Sequence, residues 1–134
     1  MSTRTRFDPA LVQVVAQHLQ EFSVANSTVQ LAVLTSGDGF EVASHPPGRP
    51  ATPKVAAMGS SMQSLSQALS REAGLSGARN LIIENDSGAV LVLGLTGTSP
   101  QLSLAVVAAG TELLGRLLWA SRNLCKALEA ALRK

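Results

Sequence analysis

The chain has 134 residues, of which 46% are hydrophobic and only 15% charged, and its formal net charge is +2. That length suits one domain with one core, and the scattered cations give no massed basic patch of the kind nucleic acid requires. The single cysteine, Cys125, excludes an intrachain disulfide and any cysteine-based zinc site, so nothing requires an oxidising compartment.

Soluble domains carry about 25% charged residues, so part of this surface should be apolar or small. A partner covering it is the simplest explanation; the alternative is an Ala, Val and Leu core under a bland polar surface. The N-terminus holds no continuous apolar stretch of the signal-peptide type. The apolar run over residues 102–109 is far short of the roughly 20 residues that span a bilayer. The expectation is a soluble, cytoplasmic protein without membrane insertion, with residues 1–8 a flexible tail and 9–134 a single domain.

Asp8-Pro9 reads as a helix start, a capping carboxylate followed by a proline at the first helical position. Phe7 and Val12 are spaced as a hydrophobic staple. Leu11, Val15, Leu19 and Phe22 recur on one helical face, which predicts a helix over residues 9 to about 22. Residues 28–35 are β-branched and aliphatic, a strand buried on both faces. Ser36-Gly37-Asp38-Gly39 is a turn, and residues 40–44 return as a second strand. The proline-rich stretch from His45 to Pro50 is a loop.

Thr52-Pro53 repeats the cap-then-proline signal, predicting a second helix from Pro53 to about Ala73 that Gly74 stops. Three short strands follow, over 78–84, 89–95 and 101–108, the first two joined by the hairpin turn Asn85-Asp86-Ser87-Gly88. Thr111 is placed to cap a last helix, and Glu112 suits its positive end. The order α-β-β-α-β-β-β-α with hairpin-length links gives an α+β (α/β) fold, a mainly antiparallel sheet with helices on its faces.

Three segments carry a family resemblance. They are Leu31-Ala-Val-Leu-Thr-Ser-Gly-Asp-Gly-Phe-Glu-Val-Ala-Ser44, Val55-Ala-Ala-Met-Gly-Ser-Ser-Met-Gln-Ser-Leu65, and Asn80-Leu-Ile-Ile-Glu84 followed by a turn and Ala89-Val-Leu-Val-Leu93. With the element order, they resemble the roadblock/LC7 family from about Leu11 onward. The resemblance implies a roadblock/profilin-like five-stranded sheet between helices. It also implies a homodimer joined through the middle helix and third strand, and a role in binding or regulating a small Ras-like GTPase or scaffolding a larger assembly.

In helix 2, Val55, Met58, Met62, Leu65 and Leu69 form one apolar stripe, expected to lie on the sheet. Ala57, Ser61, Ser64 and Ala68 form a second stripe, rotated by about a quarter turn or more at ~100° per residue. Small residues allow a second helix to approach closely, so this stripe is the expected dimer face; a solvated Ala/Ser face is the alternative. In strand 3, Leu81 and Ile83 face one way and Asn80, Ile82 and Glu84 the other. If this strand is a sheet edge, Leu81, Ile82, Ile83 and Glu84 present free backbone groups to a second copy, with no proline or lysine to block pairing.

Helix 3 has a broad apolar arc of Leu113, Leu114, Leu117, Leu118, Leu124, Leu128 and Leu132, with Cys125 inside it as a buried thiol. Trp119 projects opposite the arc, among Gly115, Arg122, Lys126 and Arg133. Trp119 with Arg116 and Arg122 is a candidate partner-binding spot. The alternatives are an indole lying flat on Arg116 or Arg122, or one covered by the N-terminal tail.

No catalytic constellation is evident. His18 and His45 share no metal-ligand spacing with other His, Cys or carboxylate residues. There is no Gly-x-Ser-x-Gly elbow and no Gly-Lys-Ser/Thr phosphate loop. Asp38, Glu41 and Glu84 stand alone, the Ser36–Gly39 turn reads as an ordinary hairpin, and Arg4 and Arg6 read as a chain end. A non-enzymatic adaptor without cofactor or metal is therefore expected. A purely structural scaffold subunit, or a PAS/GAF-type sensor with a pocket between sheet and helix, are the alternatives.

Overall fold

The computed structural model describes residues 7–77, 79–98, 100–110 and 114–133. The expected cap at Thr111 and Glu112, Leu113 of the last helix, Ala78 at the start of the third strand, and the Arg4/Arg6 tail lie outside them. The elements run α1 (Pro9–Ala25), β1 (Val29–Ser36), β2 (Glu41–His45), α2 (Thr52–Glu72), β3 (Asn80–Asn85), β4 (Gly88–Gly94), β5 (Leu102–Ala109) and α3 (Leu114–Leu132). All eight expected elements are present in the expected order.

The local signals explain most boundaries. Asp8 caps α1 by accepting from the Ala10 N–H at 2.9 Å. The helix runs three residues beyond Phe22, to Ala25, because Asn26 closes it. The Asn26 side chain and backbone both donate to the Phe22 carbonyl, at 2.8 and 3.0 Å. At the end of α2, Gly74 takes φ +80°. Leu75 N–H bonds Ser70 O at 2.8 Å and Gly74 N–H bonds Arg71 O at 3.0 Å, the paired closure of a Schellman motif. The start of α2 corrects the sequence reading. Ala51, not Thr52, is the N-cap residue, no side chain caps it, and the buried Thr52 hydroxyl has no partner.

The five strands form one sheet in the order β2-β1-β5-β4-β3, and every neighbouring pair is antiparallel. Its length-wise packing is uneven on the two faces. α1 and α3 cover one face together, burying Val15, Leu19, Leu34, Leu91, Leu93, Leu104, Leu117 and Leu128. α2 alone crosses the other face, where Val33, Ala56 and Ala105 form a much smaller buried cluster beside Val55. The tight link into β4 depends on Gly88, because a Cβ there would stand 2.1 Å from the Ala108 carbonyl oxygen.

Candidate interaction surface

α2 touches the sheet through Thr52, Ala56, Gly59, Ser60 and Gln63, residues at helical spacing and mostly small. A Cβ on Gly59 would stand 3.5 Å from Ala105 Cβ, so the helix backbone lies close to the strand beneath it. Gln63 fills the space that Gly94 leaves empty; a Cβ on Gly94 would stand 2.6 Å from Gln63 Nε2. Ser60 Oγ donates to the Gly37 carbonyl at 2.9 Å and ties α2 to the β1–β2 turn.

This packing overturns the expected orientation of α2. The large stripe does not lie on the sheet: Met58, Leu65 and Leu69 are 64%, 62% and 69% exposed, and Val55 and Met62 are only half-buried. The physical reason is close approach. Gly59 and Ala56 let the helix sit nearer the sheet than any stripe of Met and Leu would, and the larger side chains are left outside. The small stripe is also on the outer face, with Ala57, Ser61 and Ser64 exposed and Ala68 half-buried. Large and small side chains thus share one solvent-facing ridge.

The ridge has a groove on each flank. Toward β3–β5 lies an apolar cleft of about 480 Å³, lined by Met58, Met62, Ile83, Val90, Val92 and Val107 among others. Toward the β1–β2 turn lies a groove of about 570 Å³, lined by Gly37, Asp38, Gly39, Ser61, Ser64 and Leu65 among others. The apolar cleft is a surface feature, since Met58 and Ile83 are both exposed.

β3 is an edge strand and pairs only with β4. Its register sets Leu81 opposite Val92 and Ile83 opposite Val90, on the α2 side of the sheet. Ile82 and Glu84 face the α3 side, opposite Leu91 and Ala89. Leu81 is half-buried, whereas Ile82, Ile83 and Glu84 are exposed. Ala57, Ser61 and Ile83 line the apolar cleft between α2 and β3, whereas Ser64 and Ala68 line the groove on the other flank and Ile82 and Glu84 face the α3 side.

The other candidates stand apart from that cleft. Trp119 is 68% exposed on α3, with Arg116 and Arg122 exposed beside it, on the helix pair covering the opposite face. With the Asn80 amide oxygen turned toward α3, it accepts from Arg122 Nη2 at 2.8 Å. Cys125 is buried, and burial, with a smaller push from Glu129, raises its thiol to about 12. His18 is half-buried on α1 and His45 ends β2. Among the described residues no three of His, Cys, Asp and Glu are grouped as metal ligands would be. No helix among them is long and apolar enough to cross a membrane.

The sequence model of the Roadblock/LC7 domain matches residues 15–108. No curated protein matches the chain by sequence. Among solved structures, an MglB with tetrameric arrangement superimposes with a TM-score of 0.80 at 19% identity, covering 94% of this chain and 93% of that one. A Roadblock/LC7 domain from Streptomyces avermitilis gives 0.76 at 24% identity, covering 87% and 96%. Profilin IB of Acanthamoeba castellanii gives 0.61 at 17% identity, covering 86% and 96%. These likenesses share the sheet with helices on both faces, and the sequence match spans most of the chain, which belongs to the Roadblock/LC7 domain family.

Proposed function

We propose that this protein is a non-catalytic, cytoplasmic homodimeric adaptor that binds a small Ras-like GTPase and regulates it. The observation that carries the dimer is the ridge of α2 beside the open edge of β3. Met58, Leu65 and Leu69 expose apolar area that one copy leaves uncovered. The β3 edge offers backbone donors and acceptors without a blocking proline or lysine. A two-fold axis beside β3 would pair two copies of this strand and set one α2 across the other, over Ala57, Ser61, Ser64 and Ala68. Each surface is then its own complement.

The likeness to MglB, a gliding protein in Thermus thermophilus, and membership of the family support a GTPase-related partner for this chain. An adaptor of this kind acts by positioning the switch segments of the GTPase. Light scattering during gel filtration should give roughly twice 13.9 kDa at micromolar concentration, and Ile83→Lys should return it to the monomer. GTP turnover by a Ras-like GTPase that co-purifies with the protein should change when the protein is added. A dimer that neither binds such a GTPase nor changes its turnover would instead be a structural scaffold subunit, the second reading. A monomer at all concentrations would refute both dimeric readings.

A further inference from the structure

Charge is not spread evenly along this chain. Residues 7–110 contain four basic and seven acidic residues, a formal net of −3, whereas residues 114–133 contain four basic residues and one acidic, a net of +3. What reads as scattered cations in sequence becomes one cationic pole on α3. The lone carboxylate of that segment, Glu129, is occupied. It accepts from the Thr96 N–H at 2.7 Å and the Thr96 hydroxyl at 3.2 Å.

Leu117, Ser121, Leu124, Cys125 and Leu128 turn inward and fix the orientation of α3 on the core. Arg116, Trp119, Arg122 and Lys126 are left exposed. They are spaced by three and four residues, so they lie along one side of the helix. Among the described residues Arg116 and Lys126 form no ion pair. The indole is the only tryptophan of the chain, and it is 68% exposed in the middle of these cations. An exposed indole costs apolar hydration, and a ring flanked by cations suits an acidic partner that brings apolar contact with it.

We propose that this side of α3 docks an acidic protein segment, with Trp119 as the anchor that becomes buried and Arg116, Arg122 and Lys126 as the flanking cations. A membrane surface fits less well. An interfacial helix sinks a wide apolar face into lipid, and the apolar face of α3 is committed to the core. Nucleic acid fits less well too, because one indole gives no stacking platform and the body of the chain is acidic. The apolar cleft between α2 and β3 lies on the other face of the sheet, while Arg122 reaches the start of β3 through Asn80.

The full-length protein is titrated against a fluorescently labelled short peptide of glutamates interrupted by leucines, read by anisotropy. Its lysine counterpart and phosphatidylserine vesicles are run in parallel. The expected result is saturable binding of the glutamate peptide alone, a blue shift of the single tryptophan emission, and loss of binding at high salt. Trp119→Ala and the double change Arg122→Glu/Lys126→Glu should each weaken binding by about tenfold or more, as hot-spot residues do. All these side chains are exposed, so unchanged thermal melting serves as the folding control. Absence of binding, equal binding of the lysine peptide, an emission shift with vesicles only, or insensitivity to Trp119→Ala would each overturn the proposal.

Discussion

α2 and α3 carry similar stripes of large aliphatic residues, yet they treat them in opposite ways. α3 turns Leu117, Leu124 and Leu128 into the core and shows its polar side. α2 turns Ala56, Gly59 and Gln63 into the sheet and shows Met58, Leu65 and Leu69. The difference lies in what each helix meets. α3 shares its face of the sheet with α1, and together they enclose space that only large side chains fill. α2 crosses its face alone and presses close to Ala105 and Gly94, where only small or flat side chains fit. A helix that buries its small residues and displays its large ones has more apolar surface to cover than one copy covers.

The contrast can be broken from either side. Leu128→Ala in α3 empties a fully buried site and should cost about 2–5 kcal/mol in urea denaturation. Gly59→Leu in α2 pushes atoms into Ala105 and should cost about 1–3 kcal/mol by overpacking. Were Gly59→Leu neutral, the close approach of α2 would not be what orients it. Cys125 tests the enclosure of α3 by pH. Its thiol stands at about 12 in the fold against an ordinary 9.0. The neutral thiol is the form the fold favours, so its contribution is complete below pH 9 and is lost as pH rises toward about 12. Alkaline titration should show that extra loss in the native protein and not in Cys125→Ala, and thiol reagents should react at neutral pH only after unfolding. The smallest effect belongs to the exposed stripe. Leu65→Ser should change the folding stability of a single copy by no more than about 0.5 kcal/mol, while making the melting temperature more dependent on protein concentration.

The sequence makes the order of elements legible because each carries a local signal. Asp8-Pro9 starts α1, Gly74 stops α2, and β-branched and aliphatic runs between turn residues mark the strands. The family is legible for the same reason, since its pattern is one of small and aliphatic residues in order. Side-chain orientation on α2 is not, because it depends on residues distant in the chain. Nothing around Met58 records that Gly94 and Ala105 will leave room only for Gln63 and Gly59. The same holds for the failed cap at Thr52, which resembles Asp8-Pro9 locally but sits one residue inside the helix. The edge position of β3 follows from β4 pairing on to β5, a choice among strands that local patterning does not make. The grouping of Trp119 with Arg116, Arg122 and Lys126 is legible from helical spacing, whereas their exposure depends on which side α3 turns to the core.

If a second copy completes the β3 edge, amide hydrogen exchange reads that edge directly. In one copy alone, the β3 amides pointing away from β4 face solvent and exchange quickly. Those amides, within Asn80–Asn85, should become protected as protein concentration rises, together with the outer face of α2. Fast exchange of the same amides at every concentration, with the rest of the sheet protected, would contradict that pairing.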